Sequence, residues 1–205
     1  MKKIVDSLLE SRKGKEPIDK VIFVACGGSL AAFYPSKYFL ERENRKLSRV
    51  GFYSSNEFVY SFSDIVDSNT LVIGCSHEGK TPETVEALKI AREKGAATIA
   101  FTYFENSPIA ELGDQVVKYS WGANVKYAEK KEALGLKLSM EFLYQTENWS
   151  GYDKAMDCFE RYEDVAVKAR EKSVDKAIEF AEANKSEKVI YTVGSGASWG
   201  SAYME

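Results

Sequence analysis

Five short runs of apolar and β-branched residues, Lys20–Ala25, Arg49–Tyr53, Thr70–Cys75, Ala97–Thr102 and Gln115–Ser120, alternate with helical periodicity near Leu30–Glu43, Thr81–Lys94 and Ser107–Leu112. Parallel strands need long crossover connections, and the helices in those crossovers cover both faces of the sheet. Strands buried on both faces then read as continuous apolar runs instead of alternating ones. The expected class is therefore α/β, a five-stranded parallel sheet with helices on both faces in a flavodoxin-like sandwich. Right-handed crossovers place the C-terminal ends of the strands on one edge, where loops collect and ligands bind.

Beyond Ser120 the pattern turns helical, over Lys130–Glu147 and Asp153–Ala183, with Asn148 and Gly151 marking the break. Stripes of Leu134, Leu138, Glu141 and Phe142, and of Met156, Phe159, Val165 and Val167, read mainly as core packing. A repeat then appears. Glu187–Gly196 aligns without gaps on Asp19–Gly28, both reading strand, glycine-rich turn, helix start. Residues 1–185 are expected to form one domain with C-terminal helices, and 186–205 the first strand and turn of a second, incomplete copy. The alternative is that the last strand pairs with this sheet or another.

Composition narrows the partners. The net charge is −3, and Lys and Arg are spread along the chain, so no basic stripe offers itself to a polyanion and nucleic acid is not expected. Runs such as Val21–Cys26 and Leu71–Cys75 fall far short of the roughly 18 to 20 apolar residues of a bilayer crossing, so no membrane span is expected. Met1-Lys2-Lys3 leads into Ile4, Val5, Leu8 and Leu9, interrupted by Asp6 and Glu10, which is not an export signal. Cys26, Cys75 and Cys158 are odd in number and lack metal-ligand spacing. Reduced thiols, a cytoplasmic setting, no metal and no cofactor are expected.

Two strand-to-helix loops carry the chemistry. In Cys26-Gly27-Gly28-Ser29 the glycines allow a tight turn and close ligand approach, and the helix start behind them attracts an anion. Ser29 reads either as an anion-binding hydroxyl or as an N-cap. The second loop, Gly74-Cys75-Ser76-His77-Glu78-Gly79-Lys80-Thr81-Pro82-Glu83-Thr84, gathers hydroxyls at Ser76, Thr81 and Thr84 around a helix start fixed by Pro82. Thr81 is the expected N-cap, its hydroxyl within reach of the Thr84 amide. Two such loops on one edge would hold a phosphate between them. His77 reads equally as a ligand-facing donor and as a loop residue bonded to backbone. Glu78 reads as a solvated carboxylate or as facing a cationic amine, and Lys80 as a surface lysine or a phosphate partner.

This stretch also matches the P-loop pattern G-x-x-x-x-G-K-[ST]. Three features speak against it. Glu78 would put a carboxylate in the phosphate nest, and Pro82 would remove an N–H where the helix should be running. No later strand ends in the aspartate used on the magnesium side, since the Ala97 and Gln115 runs end in Thr102 and Ser120.

Ala25-Cys26-Gly27-Gly28-Ser29 and Ser76-His77-Glu78-Gly79-Lys80-Thr81 together resemble the two phosphate loops of the SIS (sugar isomerase) domain family. The resemblance runs from about Asp19 to Ser120 and restarts at Glu187. It implies that Ser29, Ser76 and Thr81 contact a sugar phosphate, within a phosphate-binding set that includes Gly27, Gly28, His77 and Gly79. Glu78, Lys80 and Thr84 are further candidate contacts. The isomerase half of glucosamine-6-phosphate synthases reads S-Q-S-G-E-T at the second loop, which this chain does not. Its G-K-T form is more similar to fructosamine-6-phosphate deglycases, and no glutaminase domain fits before the sheet. The implied activity is hydrolysis of a ketosamine 6-phosphate to a sugar 6-phosphate and a free amine. An isomerase without glutaminase and a non-catalytic phosphosugar-binding module are the alternatives. In both enzyme relatives the proton-moving glutamate and histidine lie in the second SIS domain, so the catalytic residues are expected beyond this chain. Apolar Val189, Ile190, Tyr191 and Val193, lacking a sheet of their own, imply a homodimer.

Overall fold

A computed structural model describes residues 1–204, with the side chains of 197 and 204 left aside; Glu205, the end of the expected second copy, lies outside the described residues. Helix α1 (Lys2–Glu10) turns the amphipathic start of the chain inward through Val5 and Leu8. Strand β1 (Lys20–Ala25) follows, then a short helix α2 (Gly27–Ala31) and helix α3 (Tyr34–Glu43). The single helix expected over Leu30–Glu43 is thus split. Pro35 supplies no N–H and is tolerated only in a first turn, so a new helix starts there.

Strand β2 (Arg49–Ser54) runs into helix α4 (Ser55–Glu57), closed by a reciprocal cap in which the Ser54 hydroxyl accepts from the Glu57 amide and the Glu57 carboxylate accepts from the Ser54 amide. A π-turn over Phe58–Phe62 then buries Phe58. Strand β3 (Thr70–Cys75), helix α5 (Pro82–Glu93), strand β4 (Ala97–Thr102), helix α6 (Pro108–Leu112) and strand β5 (Gln115–Lys118) complete the sheet. The order is β2-β1-β3-β4-β5 and every pairing is parallel, as the alternation of runs implies.

Adjacent residues of each strand feed opposite faces. Val21 and Phe23 join Val5, Phe33, Leu138 and Phe142 on one side, while Ile22 and Val24 join Phe58, Leu88 and Ile109 on the other. The central strands β3 and β4 are buried at every position. Edge strands β2 and β5 are only partly so.

Helix α7 (Lys131–Glu147) packs on this core, and its stripe contains Glu141, buried and bonded to the Tyr152 hydroxyl and to Gln145. Burial and that bond push the Tyr152 phenol up to about 12. Helices α8 (Tyr152–Glu160) and α9 (Tyr162–Asn184) correct the expectation of core packing there, because neither buries a residue. Val165, Ile178 and Phe180 of α9 are more than half exposed, since the helix leaves the layer that would cover them.

The repeat forms only in part. Residues 187–195 have no sheet partner, with Tyr191 at 88% and Val193 at 94% exposure. In this structure that segment is not a strand and does not join the five-stranded sheet. The turn and helix start do form, as Gly196 at φ +56 and α10 (Trp199–Met204). Trp199 packs on Tyr34 with ring centroids 4.5 Å apart, so the helix that opens the repeat rests beside the helices that follow β1. Among the described residues no helix is long and apolar enough to cross a membrane.

Gly74 shows how closely α5 lies on the sheet, since a Cβ there would stand 2.1 Å from Leu88 Cδ1. Gly74→Ala is expected to destabilise the domain by about 1–3 kcal/mol through overpacking. A lower urea midpoint with unchanged slope would show it, and an unchanged midpoint would contradict the close packing.

Candidate functional site

The sheet reverses its direction of winding between β1 and β3. The chain leaves β1 toward β2 on one side, and β3 leads to β4 and β5 on the other. In open α/β sheets such a switch point opens a crevice at the C-terminal strand ends, because the two outgoing loops diverge. Here Ala25 pairs with Cys75, so the next residues on each strand, Cys26 and Ser76, start the two hydroxyl-bearing loops side by side. Both loops fall where the sequence places them.

In the first loop Gly27 has φ +51, a conformation that only glycine adopts without strain, and the Ser29 amide returns to the Cys26 carbonyl at 3.1 Å. The amides of Gly27 and Gly28 take no partner among the described residues and are available to an anion. Ser29 makes no capping bond. Its hydroxyl oxygen instead accepts from Lys131 Nζ at 3.3 Å.

The second loop closes on itself. Ser76 and Thr81 share a hydroxyl–hydroxyl bond of 2.9 Å, and the Thr81 amide donates to Ser76 Oγ at 3.3 Å. Thr81 occupies the N-cap position, as expected, but its hydroxyl does not cap α5; the Thr84 amide is taken by the Thr81 carbonyl at 3.0 Å. The pairing with Ser76 draws the Thr81 hydroxyl away from the helix and into the loop.

Gly79 lies at the back of this turn. Its φ is +70, its amide donates to the Ser76 carbonyl, its carbonyl accepts from the Ile109 amide, and a Cβ would meet Ser107 Oγ at 2.1 Å. It therefore shapes the loop, with its amide already engaged. Thr84 is fully buried, bonded to Ser55 Oγ at 2.8 Å and lying 4.0 Å from Cys26 Sγ. It ties the two loops and α4 together from below and is not presented to a ligand. Glu78 and Lys80 are exposed on the turn, and neither has a hydrogen-bond or ion-pair partner among the described residues. The P-loop reading fails on this geometry too. Gly74 is a strand residue, and the Gly79 and Thr81 amides that would cradle a phosphate are engaged inside the loop.

His77 follows neither reading in full. Its Nδ1 shares a hydrogen bond of 3.0 Å with the Tyr119 hydroxyl, and its ring stacks on Tyr103 at 5.3 Å and against Trp121 at 5.1 Å. The imidazole thus fixes the second loop to the ends of β4 and β5. Tyr119 is buried, which pushes its phenol well above the ordinary range and keeps it protonated. Cys75, fully buried beneath Ser29 and Tyr119, has its thiol pushed up to about 11 by burial, against the opposing pull of the Lys131 charge.

Tyr119, Trp121 and Lys131 are residues that the sequence analysis did not single out. They lie beyond the loop motifs, and only the fold carries them back. With Lys130 and Glu132 they line a cleft of about 400 Å³. A larger, mostly apolar cavity of about 590 Å³ lies among α3, α7 and α8, and neither it nor the smaller cleft is lined by residues of the two loops themselves. Among the described residues no group of three or more His, Cys, Asp or Glu side chains is placed to hold a metal ion.

Comparison with known proteins agrees with this geometry. A family model described as the SIS domain matches residues 17–129. The chain is 41% identical over 207 residues to the fructosamine deglycase FrlB of Bacillus subtilis, covering 97% of this chain and 60% of that protein. It is 29% identical over 187 residues to a glutamine–fructose-6-phosphate aminotransferase (isomerizing) of Thermococcus kodakarensis, covering 88% of this chain and 31% of the relative. A crystal structure of a candidate phosphosugar isomerase from Salmonella typhimurium LT2 superposes with a TM-score of 0.92 at 41% identity, over 98% of this chain and 61% of that one. The chain thus spans about 60% of the length of the FrlB relative and of this solved structure. A family model covering more than half of the residues, together with a solved structure that superposes on nearly the whole chain at 41% identity, makes this chain a member of the SIS domain family.

Proposed function

We propose that this chain is the phosphosugar-binding part of a fructosamine-6-phosphate deglycase-like enzyme, one that hydrolyses a ketosamine 6-phosphate to a sugar 6-phosphate and a free amine. The observation that carries the reading is the convergence of Ser29 with the Ser76–Thr81 hydroxyl pair at the β1/β3 switch point. Hydroxyls and the unpartnered amides of Gly27 and Gly28 suit a phosphate oxygen, which accepts several hydrogen bonds at once. The 41% identity to FrlB supports the deglycase over the other members. The G-K-T form of the second loop supports it as well.

The repeat at Glu187–Gly196 supports a second unit of the same fold, and the reading assigns the proton-moving carboxylate and histidine to that unit. On this division of labour the two loops orient the sugar by its phosphate while the chemistry proceeds at the other end of the substrate. Exposed Val189, Ile190, Tyr191 and Val193, with the apolar residues of α9, support association into dimers.

A second reading, a phosphosugar-sensing module, draws on a match of 32% identity over 107 residues to an uncharacterized HTH-type transcriptional regulator of Haemophilus influenzae. The repeat favours the enzyme, since a sensor built on one such domain has no use for the opening of another.

Titration calorimetry with fructose 6-phosphate tests the site. Removing one protein hydroxyl that donates to a charged ligand costs about 1.5–3 kcal/mol, so Ser76→Ala and Thr81→Ala should each weaken binding roughly 10- to 100-fold. Unchanged affinity in the Ser29, Ser76 and Thr81 triple alanine variant would sink the assignment. Release of amine from a fructosamine 6-phosphate by the full-length enzyme separates the deglycase from the sensor, which would bind without turnover.

Association is tested by size exclusion with light scattering. The expected mass is twice the 23.0 kDa of one chain. A monodisperse species at the single-chain mass is the contrary result.

A further inference from the structure

We infer that Lys131, at the start of α7, is the cation of the phosphate site, and that Lys80, the lysine of the G-K-T triplet, is not. The inference rests on the proposed reading of the two loops as a phosphate grip.

A phosphate monoester carries a charge of about −1.5 to −2 at neutral pH. Hydroxyls and amides offer it hydrogen bonds but no countercharge. Within the loop motif Lys80 is the one lysine that could serve, and the sequence leaves it between surface lysine and phosphate partner. In the fold Lys80 is exposed on the outer turn and touches no member of the hydroxyl set. Lys131 arrives from far along the chain, and its Nζ lies 3.3 Å from Ser29 Oγ.

That contact has a direction. An ammonium group only donates, so Ser29 Oγ accepts from Lys131, and its own proton is left for the neighbouring Cys75 sulfur or for a ligand oxygen. A phosphate oxygen taking the Ser29 hydroxyl proton at the usual O–H···O spacing, about 2.7 Å, is then a close neighbour of the ammonium as well. Lys131 thereby supplies charge and orients the hydroxyl in a single placement.

The surroundings of Lys131 give independent support. It is half-buried and forms no ion pair within 4.0 Å among the described residues, although the side chain of Glu132 is next in sequence. Its ammonium stands 5.9 Å from the Tyr119 ring. It also occupies the first turn of a 17-residue helix, the end whose dipole repels cations and attracts anions. A lysine held there weakens the helix start; Glu132 in the same turn offsets part of that, and an anionic ligand beside Lys131 would offset more. A phosphate monoester dianion is a ligand of that charge.

The test is calorimetry on the full chain with fructose 6-phosphate and, separately, inorganic phosphate, using wild type, Lys131→Met, Lys131→Arg and Lys80→Met. Thermal melts verify that each variant is folded. Lys131→Met is expected to weaken both ligands roughly 10- to 100-fold and to flatten the salt dependence of binding, because an ion pair is lost. Lys131→Arg should retain most of the affinity, and Lys80→Met should change it by less than about twofold, as expected of a screened surface charge. Equal affinity in Lys131→Met and wild type, or a larger loss in Lys80→Met, overturns the inference. If Ser29→Ala loses binding while Lys131→Met does not, the two-loop reading stands and this inference alone falls. No binding of either ligand by folded wild type overturns both.

Discussion

Everything that this domain offers a ligand depends on the parallel pairing of β1 with β3. That one ladder puts Ala25 beside Cys75, and therefore the two loops that follow them at the same height on one edge. It also sets the winding, with β2 on one flank and β4 and β5 on the other, so that the loops diverge and leave a crevice between them. Burial of both strands on both faces makes a register slip costly, since a shift by one residue would exchange Val21 and Phe23 for Ile22 and Val24 across the two cores.

The loops differ in how they are held. The first is open, with glycine amides free and Ser29 reaching out to α7. The second is pre-folded from several directions: Ser76 and Thr81 close it across its mouth, Gly79 seats on Ser107 and Ile109 behind it, Thr84 anchors it beneath, and His77 pins it to the ends of β4 and β5. Rigid placement of this kind lets hydroxyls bind without a fresh loss of conformational entropy. It also explains why a residue that looked like a ligand contact, Thr84, lies fully buried, and why Gly79 serves the turn instead of the crevice.

The same logic extends to α7. Its stripe of Leu138 and Phe142 is buried against the sheet. That burial fixes where its first turn projects, and the first turn delivers Lys131 to Ser29. A helix that reads from sequence as plain core packing therefore also positions a charge at the candidate site. Helices α8 and α9, by contrast, leave the layer and keep apolar side chains in solvent, which a surface awaiting another layer would do.

By itself the sequence determined the fold class, the five strands nearly to the residue, the two loops and the repeat. Each of these is written locally, in β-branched runs, glycine turns and proline starts, and local patterns survive without knowledge of distant contacts. It also carried the family resemblance, through two short loops. Tertiary structure alone decided which way the side chains at those loops turn. Whether the Thr81 hydroxyl caps its helix or meets Ser76, whether His77 bonds to its own loop or to Tyr119, and whether Ser29 caps its helix or meets Lys131 are competitions between near and far partners. The far partner won in the cases of His77 and Lys131, because a packed sheet edge brings residues separated by 42 and 102 positions within hydrogen-bond distance, and no local pattern encodes that encounter.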